Sequence, residues 1–149
     1  MNQHEDLDSI RLKLIIYVGL PASGKSYHAL RRIEQNPGEY KRINRDLLRE
    51  MADGGKYSEE NEVCIRNSEF ILAEMFLFSG FAVLIDDCNL SKKTRDMWQE
   101  FAQRMEMEME IEDFRYVPLE ICLQRDKQRD RPIGEQVIRG MYERYLKQD

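Results

Sequence analysis

A chain of 149 residues, 42% hydrophobic and 34% charged, suits one soluble domain around one core. Its formal net charge of −5 speaks against a protein that coats nucleic acid non-specifically, though it leaves room for a local basic groove. Cys64, Cys88 and Cys122 lie far apart, with only His4 and His28 beside them, so the sequence predicts reduced thiols in a cytoplasm, no zinc site, no signal peptide and no membrane span.

Residues 1–10 read as a polar leader, and 11–149 as a single domain. Asp6-Leu7-Asp8-Ser9 resembles an aspartyl-phosphate loop but lacks the buried strand that chemistry needs, since only Met1 to Glu5 precede it. Leu12 to Val18 is a mostly apolar strand. Gly19-Leu20-Pro21-Ala22-Ser23-Gly24-Lys25-Ser26 follows, matching the phosphate-loop pattern G-x-x-x-x-G-K-[ST], and Tyr27 to Glu34 reads as a helix. Glycines let such a loop wrap a phosphate chain with its N–H groups inward, and the next helix adds its positive end. Lys25 would reach the β- and γ-phosphates of ATP, and the Ser26 hydroxyl would hold Mg²⁺.

Asn36-Pro37-Gly38 is a turn. Tyr40 to Asn44 is a short strand, and a helix begins at Arg45 and ends before Gly54-Gly55. Ser58 caps a long helix, 61–79, whose apolar residues surround most of its circumference and predict deep packing. Phe81 to Ile85 is a strand covered on both faces. Ser91 caps a helix carrying Trp98, Phe101, Ala102 and Met105. Met107, Met109 and Ile111 alternate with Glu108, Glu110 and Glu112, as in an edge strand with one wet face. Pro118 opens a helix that Arg129-Asp130-Arg131-Pro132 breaks, and a last helix spans 135–146, with Val137, Met141 and Tyr145 on one face. The alternation predicts an α/β fold with a parallel sheet between helices, its ligands at the carboxyl ends of the strands.

Chemistry-bearing residues gather at those ends. Asp87 suits a carboxylate that holds Mg²⁺ or orients its neighbours; Asp86 suits the role too, and a turn or helix cap would use the same residue types. Asp46 suits a base that accepts the proton of an attacking hydroxyl, and equally an N-cap for its helix. Arg49 shares its helical face and could hold a substrate phosphate. Arg125, Lys127, Arg129 and Arg131 put four cations in seven residues, a pattern suited to a basic lid over a triphosphate.

Together these stretches resemble the kinase domain of the phage T-even polynucleotide kinase–phosphatase family, over nearly the whole chain. The specific pieces are Ile43-Asn44-Arg45-Asp46 with Arg49, and Asp87-Cys88-Asn89-Leu90; the phosphate loop alone is widely shared. The resemblance implies a P-loop, nucleoside-monophosphate-kinase-like three-layer sandwich with a four-stranded parallel sheet and a helical lid. It implies ATP and Mg²⁺ as cofactors and a nucleic acid as substrate, with Gly19, Pro21, Ala22, Ser23, Gly24, Lys25 and Ser26 on the nucleotide. Asp46 would be the general base, and Arg49 would grip the phosphate 3′ of the acceptor nucleotide. Arg129 would be the lid arginine, with Arg125 beside it, and Asp87 the structural or metal-linked carboxylate near the substrate. The chain departs from the family in the extra Asp86, a shorter segment after Arg129, and a sequence that stops before any phosphatase domain.

The leading expectation is therefore a kinase for nucleic-acid 5′-hydroxyls. Alternatives are a DNA kinase acting on a hydroxymethylated base, a nucleoside or small-metabolite kinase, and a non-catalytic nucleotide-gated module docking through 61–79. The sequence leaves DNA against RNA preference, donor choice and self-assembly open.

Overall fold

The protein is described here by a computed structural model over residues 12–147; the leader and its Asp6–Ser9 stretch lie outside the described residues. The strands are β1 (Lys13–Val18), β2 (Tyr40–Ile43), β3 (Ala82–Ile85) and β4 (Glu108–Asp113). The helices are α1 (Lys25–Gln35), α2 (Arg45–Asp53), α3 (Glu59–Phe78), α4 (Lys92–Arg104), α5 (Leu119–Lys127) and α6 (Glu135–Tyr145). All strand pairs are parallel, in the order β2-β3-β1-β4. Ile15 stands beside Leu84 on one side and Glu110 on the other.

The pleat of β1 divides the core. Leu14, Ile16 and Val18 point to the face where Val83 and Ile85 meet Ala73 and Leu77 of α3, Trp98 and Phe101 of α4, Leu123 of α5 and Ile138 of α6. Ile15 and Tyr17 point the other way, onto Ala29 of α1. Three layers result, with α1 on one side and α2 to α6 on the other among the described residues, which is the α/β P-loop kinase sandwich that the sequence leads one to expect. Connections from β1 and β3 run to opposite edges of the sheet. The crevice beyond their carboxyl ends is thus the switch point where such folds bind ligands.

Local signals hold at most boundaries. Ser58 accepts the N–H of Asn61, and Ser91 that of Thr94, as N-caps do. Pro118 sits one position earlier than expected, at the cap of α5. β4 is an edge strand, and its outward glutamates are tied to neighbours: Glu110 to Lys13 at 3.1 Å and Glu112 to Arg32 at 3.0 Å. α3 corrects the sequence reading. Its buried stripe is Ile65, Glu69, Ala73 and Leu77, whereas Ile71, Met75 and Phe78 are exposed. Deep packing on all sides is therefore not what this helix does; a stride of four places one narrow face on the sheet.

Candidate active site

A cleft of about 520 Å³ opens over the carboxyl ends of β1, β2 and β3. Its floor is the loop between β1 and α1. Gly19 donates its N–H to Cys88 O at 3.0 Å, which docks the loop against the segment after β3. A Cβ on Gly19 would lie 2.8 Å from both the Phe114 Cβ and the Ser23 Oγ, so only glycine fits. Gly24, at φ 106°, caps α1 with no side-chain acceptor, which leaves the first N–H groups of α1 to face an anion. Ala22 adopts φ 63°, a left-handed conformation that costs a non-glycine residue about 1 kcal/mol or more and that clusters at ligand sites.

Lys25 is buried, and its ammonium lies back over the loop. It donates to Leu20 O at 2.6 Å, Gly19 O at 3.0 Å and Ser23 Oγ at 3.4 Å. Pro21, Ala22, Gly24, Lys25 and Ser26 all line the cleft. Ser23 lies beneath it, buried, with its carbonyl accepting the Arg125 Nη1 at 3.2 Å.

At the end of β3, Asp86 and Asp87 both line the cleft but differ in their partners. Asp86 is almost wholly buried; Oδ2 pairs with Arg42 Nε at 2.7 Å and Oδ1 has no partner. Asp87 Oδ1 accepts the backbone N–H of Arg45 at 2.8 Å, which pins the first turn of α2 to β3. Its Oδ2 takes no hydrogen bond from an N–H or hydroxyl donor, and the same is true of Glu69 Oε2. Glu69 reaches in from α3 and takes Arg45 Nε at 2.9 Å on Oε1. Burial, then the contact with Asp87, pushes the Glu69 carboxyl well above the ordinary carboxylate range. Burial thus favours the neutral form of Glu69.

The sign of the pH effect follows. Above the usual carboxylate pKa of roughly 4.3, folded Glu69 keeps a proton that the unfolded chain releases, so its contribution to stability falls as pH rises. Glu69→Gln keeps an acceptor for Arg45 and offers Asp87 a permanent donor. In metal-free urea melts the variant is expected to gain on the parent by about 1 kcal/mol or more between pH 5 and pH 8. A constant difference across that range would show that Glu69 is ionised.

Asp46 and Arg49 stand on the first turns of α2, at the mouth of the cleft. The N-cap of α2 is Asn44, whose Oδ1 accepts the Leu47 N–H at 2.9 Å, so the Asp46 carboxylate is not spent on capping. Asp46 is 72% exposed and accepts Arg49 Nη1 at 2.8 Å on Oδ1. The cleft thus brings Asp46 and Arg49 to the same space as Lys25, Ser26 and the Asp86–Asp87 pair.

The basic segment divides. Arg125 and Arg129 line the cleft, the latter 42% exposed and 3.9 Å from Asp126; Lys127 and Arg131 do not line it. Met141 and Tyr145 of α6 also line the cleft, while Val137 on the same face is exposed to solvent. The buried Asp126 escapes sequence reading altogether. Its two oxygens take the N–H groups of Ile133 and Gly134, at 3.0 and 2.9 Å, and fold the segment after α5 back on itself. Asp126→Ala strands both donors, so urea unfolding should show a loss of about 2 kcal/mol, with Asp126→Asn losing less. A loss below about 0.5 kcal/mol would mean the segment does not need this clasp.

Among the described residues no cluster of three or more His, Cys, Asp or Glu side chains could hold a metal alone. The donors do fit a magnesium ion shared with phosphates. A serine hydroxyl ends the phosphate loop, and the partnerless Asp86 Oδ1 lies in the same cleft.

A parallel sheet with a phosphate loop after its first strand, and a basic segment lining the same cleft, define the α/β P-loop kinase fold. Residues 14–147 match the AAA domain family AAA_33, and the chain belongs to it. The chain is 29% identical over 135 residues to an L-seryl-tRNA(Sec) kinase of Methanococcus maripaludis, covering 89% of this chain and 52% of that protein. It is 28% identical to a putative bifunctional polynucleotide kinase/RNA ligase of Autographa californica nuclear polyhedrosis virus, covering 91% of this chain and 21% of that protein. Among solved structures, a chain of the Pnkp1/Rnl/Hen1 RNA repair complex superposes with a TM-score of 0.77 at 26% identity, covering 91% of this chain and 44% of that chain. The APS kinase CysC of Mycobacterium tuberculosis superposes with a TM-score of 0.64 at 21% identity, over 79% of this chain and 70% of that chain, which shows the fold alone. The chain thus spans about half or less of the curated relatives it matches. No described helix is long and apolar enough to cross a membrane.

Proposed function

We propose that the protein transfers the γ-phosphate of ATP to a hydroxyl of a nucleic acid, with the 5′-hydroxyl end as the acceptor. One observation carries the reading: an exposed carboxylate uncommitted to capping, Asp46, stands beside Arg49 in the cleft whose floor is the phosphate loop. The likeness to the RNA-repair chain and the viral kinase/ligase supports the nucleic-acid acceptor.

In this reading the loop N–H groups and the end of α1 bind the phosphates. Lys25 exchanges its loop carbonyls for phosphate oxygens, and Arg125 and Arg129 close from the lid side. Asp46 takes the proton of the attacking hydroxyl on the oxygen not held by Arg49. Ser26 with Asp86 and Asp87 would hold Mg²⁺, which supplies charge neutralisation on the phosphates. Asp87 also keeps α2, and so Asp46, fixed against β3 through the Arg45 N–H.

The seryl-tRNA(Sec) kinase relative favours a second reading, in which the acceptor hydroxyl belongs to a serine on tRNA. One acceptor panel with ATP and Mg²⁺ separates the candidates: 5′-hydroxyl DNA, 5′-hydroxyl RNA, hydroxymethylated duplex, seryl-tRNA and free nucleosides. Labelled phosphate on the 5′-hydroxyl oligonucleotides is the expected result. Label only on seryl-tRNA, on the modified duplex or on nucleosides would replace the proposal with the corresponding one.

A further inference from the structure

We infer that Glu62, in the first turn of α3, is the positioning residue that aims Arg49 at a phosphate of the acceptor. The inference deepens the nucleic-acid reading above and rests on it. Arg49 Nε donates to Glu62 Oε2 at 3.0 Å, and Nη2 donates to Oε1 at 2.7 Å. This is a two-point fork on one edge of the guanidinium. Nη1 donates to Asp46 Oδ1 at 2.8 Å. A guanidinium has five N–H donors, so these contacts leave one on each terminal nitrogen. One remaining N–H on each terminal nitrogen can meet a phosphate, and a planar fork held at its other edge presents them with little further ordering.

The fork is shielded. Arg49 and Glu62 side chains are 16% and 12% exposed, whereas Asp46 is open. The arrangement repeats along the helices. Arg45 and Arg49 are one turn apart on α2 and meet Glu69 and Glu62, two turns apart on α3. Arg45 Nε also lies 3.8 Å from Glu62 Oε1. The lower rung ties α3 to Arg45, whose N–H holds Asp87, and the upper rung fixes Arg49 beside Asp46. Helix α3, which lends no residue to the lining of the cleft, thereby sets the pose of the side chains that do.

The acceptor class that this edge recognises is a nucleoside whose next group carries a phosphate, as at a polynucleotide end. Removing Glu62 frees the guanidinium to swing onto Asp46. The test compares the parent with Glu62→Gln, Glu62→Ala, Arg49→Ala and the Arg49→Ala/Glu62→Ala double variant. Each is assayed on a 5′-hydroxyl nucleoside 3′-phosphate and on the same nucleoside without phosphate.

Glu62→Ala is expected to raise KM for the phosphate-bearing acceptor about tenfold, with Glu62→Gln between it and the parent. KM for ATP and for the phosphate-free nucleoside should stay within about twofold, and the double variant should be no worse than Arg49→Ala alone. The Arg49 Nε–H resonance, restricted in the parent, should show averaging in Glu62→Ala. A merely structural Glu62 would lower both acceptors and ATP together. A lower acceptor KM in Glu62→Ala would mean that Glu62 competes with the phosphate. Either result, or additive losses in the double variant, overturns the inference. A parent that phosphorylates no nucleic-acid component overturns the proposed function first, and this assignment with it.

Discussion

Asp46→Asn is expected to lower turnover about a thousandfold while leaving ATP affinity within about twofold of the parent. General-base assistance accounts for roughly 10² to 10⁴ in rate where the base must accept a proton as the nucleophile attacks. Asn keeps the shape and an acceptor oxygen for Arg49 Nη1, but it cannot take the proton. The side chain is 72% exposed and does not cap α2, so stability should shift by less than about 0.5 kcal/mol. ATP would be held mainly by the phosphate loop, which Asp46 does not join. Single-turnover phosphoryl transfer and binding of a fluorescent nucleotide separate the two effects. Turnover near the parent's would remove Asp46 from the reaction, and loss of ATP binding would place it on the donor instead.

How much of this was legible before the fold depends on the range of the forces involved. The phosphate loop reads directly because strand, loop and helix are contiguous, and glycine is required where Gly19 meets Phe114 and where Gly24 takes φ 106°. β4 reads from its period of two, since pleat geometry is local. Asp46 could not be settled as base or cap, because the competing cap, Asn44, lies two residues away and either side chain could serve. The partners that decide the site are further off. Glu69 and Arg45 are 24 residues apart, Arg45 and Asp87 42, and Arg42 and Asp86 44. No periodicity within one element announces such pairs. One trace of Glu69 was available: it shares the stride of four with Ile65, Ala73 and Leu77, so an acid stood in phase with the buried stripe of α3. Such an acid is buried with a partner or with its pKa raised, and Glu69 shows both. The apolar circumference of α3 misled for a related reason. Composition counts apolar residues on every side, whereas the sheet covers one side only, leaving Ile71, Met75 and Phe78 exposed.

Lys25→Met separates the stability of the phosphate loop from its chemistry. Lys25 is 6% exposed, and the hydrogen-bond partners of its ammonium are three neutral oxygens, Gly19 O, Leu20 O and Ser23 Oγ. A buried cation without a carboxylate partner is costly to desolvate, and neutral acceptors offset only part of that cost. Met fills nearly the same volume with no charge to desolvate, and carbonyls at the edge of a cleft can turn to water. The variant should therefore unfold within about 1 kcal/mol of the parent, on either side of it. Phosphoryl transfer is a different matter, because a positive group held ready at the transferred phosphate is worth about 10² to 10³ in turnover. Lys25→Met should lose at least that much, and because Lys25 would also touch the bound nucleotide, ATP affinity should fall with it, unlike in Asp46→Asn. A variant that stayed folded and still turned over would show that Arg125 and Arg129 carry the charge from the lid side. A variant that unfolded would show that the ammonium is a structural clamp on the loop.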